Sequence, residues 1–186
     1  MRRDWLILPN LITLVRIAAA PLFFWMLLQQ PDRAASERWF VVLIFVAAIA
    51  TDGLDGAIAR KRNLVTDLGK LLDPIADKVL IGAALVGLVL VERVDWWIAA
   101  LILLREVGIT VYRMLVIRDR VIPASAGGKV KTVLQAVTFA LLLSPLDTYW
   151  TGLVVIEQIA IYLTLLVTLV TGFNYLRVAL RETTGR

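Results

Sequence analysis

Asp52, Asp55, Asp73 and Asp77 are four carboxylates in two tight pairs, three and four residues apart, at the ends of two long apolar runs. At about 100° per residue, Asp52, Asp55, Gly56, Ala59 and Arg60 share an arc of roughly 140° on one helix. Gly69, Asp73, Ala76 and Asp77 share about 100° on the next. Two acidic faces on consecutive antiparallel helices can meet. Carboxylates gathered in a low dielectric repel one another and protonate unless cations compensate them. The chain has no histidine and no cysteine, which excludes thiolate and imidazole chemistry. An all-oxygen site selects hard divalent ions, Mg²⁺, Mn²⁺ or Ca²⁺. Small residues on the same faces, Gly56, Ala59 and Gly69, leave room for a ligand to approach the backbone, or pack the helices closely.

The elements that carry these residues follow from the apolar pattern. Of 186 residues, 60% are hydrophobic and 19% charged, a profile foreign to a soluble core of this size. At about 20 apolar residues per span the chain accommodates six helices, starting near Leu11, Trp39, Asp67, Trp96, Lys129 and Leu153. The expected fold is therefore all-α and integral to the membrane: one domain over residues 1–186 with six transmembrane helices. Residues 2–8 are read as a short interfacial helix stopped by Pro9, and the first apolar run as a retained span, not a cleaved signal. Pro74 lies where a missing amide costs little.

Six spans place both termini on one side. Fourteen Lys/Arg residues fall in the N-terminus, the connections after helices 2 and 4 and the tail, against Arg33, Arg38 and Arg93 on the opposite side. The positive-inside bias makes both termini cytoplasmic, in the inner membrane of a cell, with the aspartates in the cytoplasmic third. The net charge of +5 serves orientation and not nucleic acid, for which no binding is expected.

The pattern Asp-x2-Asp-Gly-x2-Ala-Arg-x8-Gly-x3-Asp-x3-Asp, running from Asp52 to Asp77, resembles the signature of the CDP-alcohol phosphatidyltransferases. That resemblance implies a six-helix integral enzyme, homodimeric, that moves a phosphatidyl group from CDP-diacylglycerol to an alcohol and releases CMP. It implies that Asp52, Asp55 and Asp73 bind divalent cations, a pair of Mg²⁺ or Mn²⁺, and that Asp77 completes the site as general base. Gly56, Ala59, Arg60 and Gly69 are expected around the cytidine diphosphate. Asn10 and Thr13 are expected to line the same site, although helix entry and packing explain them almost as well.

A second constellation bears on the acceptor. Arg105, Arg113, Arg118, Lys129 and Lys131 gather at the ends of helices 4 and 5, more cation than topology requires, and a phosphorylated alcohol suits them. Orientation and binding of anionic membrane lipids is the blander explanation for Arg118, Arg120, Lys129 and Lys131, and pairing with Glu106 the blander one for Arg105. The runs Arg105 to Arg113, Gly128 to Thr132 and Pro9 to Arg16 are similar to the glycerophosphate-using branch of the family. Its acceptor is sn-glycerol 3-phosphate; phosphatidylglycerol and inositol phosphate are the alternatives. A divalent-cation transporter, the reading from another class, predicts carboxylates through the full membrane depth. Lys78, about 100° around the helix from Asp77, is expected to pair elsewhere or face a partner helix rather than bind substrate, and Glu157 has no partner nameable from sequence.

Overall fold

A computed structural model describes residues 8–30, 34–61, 67–116 and 126–184, with side chains described within 10–30, 34–51, 72–114 and 128–178. Its helices are α1 (Leu8–Leu28), α2 (Ala35–Lys61), α3 (Asp67–Leu90), α4 (Trp96–Val116), α5 (Ala126–Leu143) and α6 (Leu153–Thr184), with a 3₁₀ turn at Pro145–Thr148 before α6. Among the described residues no strand occurs. The all-helical expectation and the six elements agree with this order. Three starts differ: α1 opens at Leu8 rather than Leu11, α2 at Ala35 rather than Trp39, and α5 before Lys129. Helix α1 opens at Leu8, so Pro9 sits in its first turn, where the absent N–H has no intrahelical partner to lose. Helix α5 opens three residues before Lys129, at Ala126. The expected interfacial helix lies almost wholly outside the described residues.

Neighbouring helices alternate in direction, and this sorts the bundle into two halves. Phe23 and Leu27 late in α1, Phe45 in α2, Leu85 and Leu88 late in α3, Ile98 and Ile102 early in α4, and Phe139 and Leu143 late in α5 form one buried apolar core. Phe23 stacks on Phe45 with centroids 5.7 Å apart, and Phe45 tilts against Phe139 at 6.2 Å. The opposite half gathers the polar ends: the start of α1 and α3, the end of α4, the start of α5 and the end of α6.

Helices α1 and α3 lie side by side and parallel. Thr13 Oγ1 donates to Asp73 Oδ1 at 2.8 Å, while fourteen residues further along both helices Leu27 packs against Gly87. A Cβ on Gly87 would stand 2.9 Å from Leu27 Cγ and closer still to its Cδ2, so the absent side chain sets this separation.

Between α3 and α4 the chain reverses through a Schellman turn: Arg93 N–H donates to Leu88 O at 2.8 Å and Glu92 N–H to Val89 O at 3.0 Å. Glu92 takes φ 58°, the left-handed position that glycine usually fills. Beyond it Arg93 reaches the 3₁₀ turn and α6, pairing through Nη1 with Asp147 and through Nη2 with Glu157 Oε1 at 3.0 Å; Arg38 Nη2 stands 3.5 Å from Asp147 Oδ1. Glu157, without a partner in the sequence reading, is thus the α6 anchor of an ionic cluster.

Helix exteriors are apolar. Leu104, Phe173, Val133, Ile159, Phe40 and Leu43 are each 60% or more exposed, a surface suited to hydrocarbon rather than water. Among the described residues two helices, Asn10–Leu28 and Leu153–Val178, are by themselves long and apolar enough to cross a membrane.

Candidate active site

Asp73 and Asp77 lie one turn apart on α3, both half-buried, on either side of the fully buried Ala76. Gly69, one turn before Asp73, is buried as well. Asp73 is held from α1 by Thr13, itself fully buried beside the equally enclosed Asn10 and Arg16. Asn10, Thr13 and Arg16 recur every three residues and so share one stripe of α1. Asp52, Asp55, Gly56, Ala59 and Arg60 fall on the last turns of α2, and their side chains lie outside the described residues.

Asp77 opens onto a cavity of about 570 Å³ walled by the ends of α3, α4, α5 and α6. Four of the five cations expected to meet an acceptor, Arg105, Arg113, Lys129 and Lys131, line it together; Arg118 lies outside the described residues. The α6 wall is Thr171 and Tyr175, neither of which carries a charge that sequence reasoning could seize on. A smaller chamber of about 180 Å³ adjoins it, reaching inward past Arg16, Ile49 and Gln135, and the two share Asp77, Lys78, Glu106, Lys131 and Thr132.

One buried carboxylate organises those shared walls. Glu106, 3% exposed, meets Lys131 Nζ at 2.5 Å and Arg105 Nη1 at 3.1 Å through Oε1, and Lys78 Nζ at 3.0 Å through Oε2. Lys78 also stands 2.5 Å from Asp77 Oδ2. Lys78 thus meets a partner helix at Glu106, as expected, and pairs with Asp77 in addition. A four-carbon stem spans the 100° between adjacent positions, so Lys78 bridges the two carboxylates. Arg105 completes its own placement by donating from Nη2 to Thr171 Oγ1 at 3.2 Å, and it lies over Gly172, whose missing side chain leaves the room it occupies. The Arg105–Glu106 pair and the cavity coexist: the guanidinium is paired and lines the pocket at once.

The donor set fits a hard divalent cation. It is oxygen-only, two of its carboxylates stand one turn apart on α3, and Asp77 already draws an ammonium to 2.5 Å, a sign of the positive charge it demands. Among the described residues no three metal-ligating side chains converge, as expected when the α2 pair is not among them. The chamber therefore joins a carboxylate able to accept a proton to a row of cations able to hold an anion.

Comparison with known proteins gives a consistent picture. The family model for CDP-alcohol phosphatidyltransferase matches residues 6–170. A probable phosphatidylglycerophosphate synthase of Mycobacterium tuberculosis is 42% identical over 178 residues, covering 96% of this chain and 84% of the relative. A CDP-diacylglycerol–glycerol-3-phosphate 3-phosphatidyltransferase of Rickettsia bellii is 37% identical, covering 91% and 93%. A CMP-forming cardiolipin synthase of Streptomyces coelicolor is 32% identical over 147 residues, covering 78% and 68%.

Proposed function

Because the chain belongs to the CDP-alcohol phosphatidyltransferase family, we propose that it transfers the phosphatidyl group of CDP-diacylglycerol to sn-glycerol 3-phosphate, releasing CMP. The relatives at 37% and 42% identity carry names of that activity. The observation that carries the reading is the shared cavity: the carboxylate of Asp77 and the cations Arg105, Arg113, Lys129 and Lys131 line one space. An acceptor with a hydroxyl at one end and a phosphate at the other suits it.

Asp77 takes the proton of the acceptor hydroxyl as that oxygen bonds to the lipid-side phosphorus of the diphosphate; the bond from this phosphorus to the bridging oxygen breaks, and CMP leaves with the electron pair. Arg105, Arg113, Lys129 and Lys131, with Arg118, hold the acceptor phosphate, the arginines through forked donation. Arg60, Gly56, Ala59 and Gly69, with Asn10 and Thr13, form the nucleotide side, and Thr13 fixes the carboxylate of Asp73. Asp52, Asp55, Asp73 and Asp77 would hold a pair of Mg²⁺ or Mn²⁺ ions, which supply neutralisation of the diphosphate and of the charge growing on CMP. No covalent enzyme intermediate is needed, so the kinetics are sequential.

The setting is multi-pass: six spans in the inner membrane, both termini and the cavity toward the cytoplasm, where nucleotide and soluble acceptor are found. The Lys/Arg asymmetry supports this orientation. Charges on α2 to α5 shorten their purely apolar stretches without removing their apolar exteriors. The enzyme is expected to work as a homodimer among membrane lipids, and family membership leaves the cation-transporter reading without support.

Detergent-purified protein with Mn²⁺ or Mg²⁺ is expected to release CMP only when CDP-diacylglycerol and glycerol 3-phosphate are both present, and Asp77→Asn to abolish release while donor binding survives. CMP release with phosphatidylglycerol or inositol phosphate in place of glycerol 3-phosphate overturns the acceptor, and near-normal turnover by the Asn variant removes Asp77 as base.

A further inference from the structure

Gln135 lies on α5 one turn beyond Lys131, on the same face, and is 2% exposed. Its carboxamide nitrogen is buried without a hydrogen-bond partner. Such a donor carries an unrepaid desolvation penalty until something accepts from it. The side chain lines the inner chamber of about 180 Å³ together with Asp77, Lys78, Glu106 and Lys131. Four charged members of that wall engage one another, Lys78 with Asp77 and Glu106 and Lys131 with Glu106, and Arg16 is the fifth. The amide of Gln135 is an uncharged, unengaged donor in the same chamber as the proposed base.

The proposed acceptor has a third polar group between its ends. With its reacting hydroxyl at Asp77 and its phosphate at the cations, glycerol 3-phosphate would hold its middle hydroxyl near Asp77, a residue that lines both cavities. A hydroxyl buried there without a partner is penalised by desolvation. We infer that Gln135 donates a hydrogen bond from its carboxamide to this middle hydroxyl and thereby selects a vicinal-diol phosphate over a simple hydroxyalkyl phosphate. This rests on the acceptor reading given above. Sites built to hydrogen-bond a substrate hydroxyl discriminate strongly against the analogue that lacks it, since the site's own polar group is then left unpaired.

The test compares glycerol 3-phosphate with 3-hydroxypropyl phosphate, which keeps the reacting hydroxyl and the phosphate at the same spacing and lacks only the middle hydroxyl. Wild-type enzyme is expected to favour glycerol 3-phosphate in kcat/KM by about 10- to 100-fold. In Gln135→Met, of similar volume but without a donor, the preference falls to within about twofold: the value for glycerol 3-phosphate drops and that for the analogue holds. Gln135→Leu provides the same comparison should the Met variant purify poorly, and an unchanged KM for CDP-diacylglycerol reports an intact site. A preference retained in either variant, or an equal loss with both acceptors, overturns the role of Gln135. Wild-type enzyme that turns over neither phosphate but accepts phosphatidylglycerol refutes the acceptor reading and the proposal with it. A wild type active with glycerol 3-phosphate yet indifferent to the middle hydroxyl refutes the proposal alone.

Discussion

Gly172→Ala tests whether Arg105 belongs to the acceptor site, without touching the arginine itself. The added methyl would lie 2.9 Å from Arg105 Cγ and 3.1 Å from its Nε, whereas carbon contacts settle near 3.5–4.0 Å. The clash falls on the root of the side chain, so a distal rotation does not relieve it, and the arginine must move by about 0.5–1 Å. Its bonds to Glu106 and Thr171, at 3.1 and 3.2 Å, have little slack, and a shift of that size carries them past hydrogen-bonding range. Overpacking costs about 1–3 kcal/mol of stability. Loss of one charged hydrogen bond to the acceptor phosphate costs about 1.5–3 kcal/mol, or about 10- to 150-fold in kcat/KM for glycerol 3-phosphate. Steady-state CMP release with each substrate varied in turn, alongside the Tm in detergent, separates the two effects. The expected result is a large fall for the acceptor and a small one for the donor. An Ala variant that folds and keeps its acceptor kcat/KM within twofold of wild type would refute the reasoning.

Two further outcomes follow from the packing. Gly87→Ala places a methyl against the fully buried Leu27 and should lower stability by about 1–3 kcal/mol, read as a drop in Tm with the KM of each substrate unchanged. Asp147 is pushed upward in pKa by burial, but its hydrogen bond and ion pair with Arg93 and the charge of Arg38 prevail and hold it below the usual carboxylate value. A carboxyl lowered in the folded state contributes stability above its unfolded pKa and loses it as pH falls through the folded one. The Tm difference between wild type and Asp147→Asn should therefore be constant above about pH 5 and shrink below about pH 4.

Much of this arrangement could be read from the residues. Apolar periodicity and interruptions placed the starts of the six helices to within four residues, and the carboxylate spacing put Asp73 and Asp77 on one face. The basic residues of helices 4 and 5 were picked out by charge, and four of them share the cavity. What stayed hidden depends on partners far away in the chain. Thr13 meets Asp73, Arg93 meets Glu157, and Lys131 meets Glu106, contacts that helical spacing does not encode. The contact of Lys78 with Asp77 was not foreseen because a helical wheel describes Cβ directions and not the reach of a long side chain. Thr171 and Tyr175 gave no signal, since an uncharged residue on an apolar helix looks alike whether it faces lipid or a cavity.

The parallel contact between α1 and α3 has a consequence for how the chain is made. On the membrane reading proposed above, α1 would enter the bilayer first, with Thr13 and Arg16 on a stripe that in the folded protein faces Asp73 and the inner chamber. The contact of Thr13 with Asp73 spans 60 positions of the chain, so it forms only once α3 has been made. Polar groups facing hydrocarbon cost several kcal/mol each, and pairing of α1 with α3 would be driven by the relief of that cost.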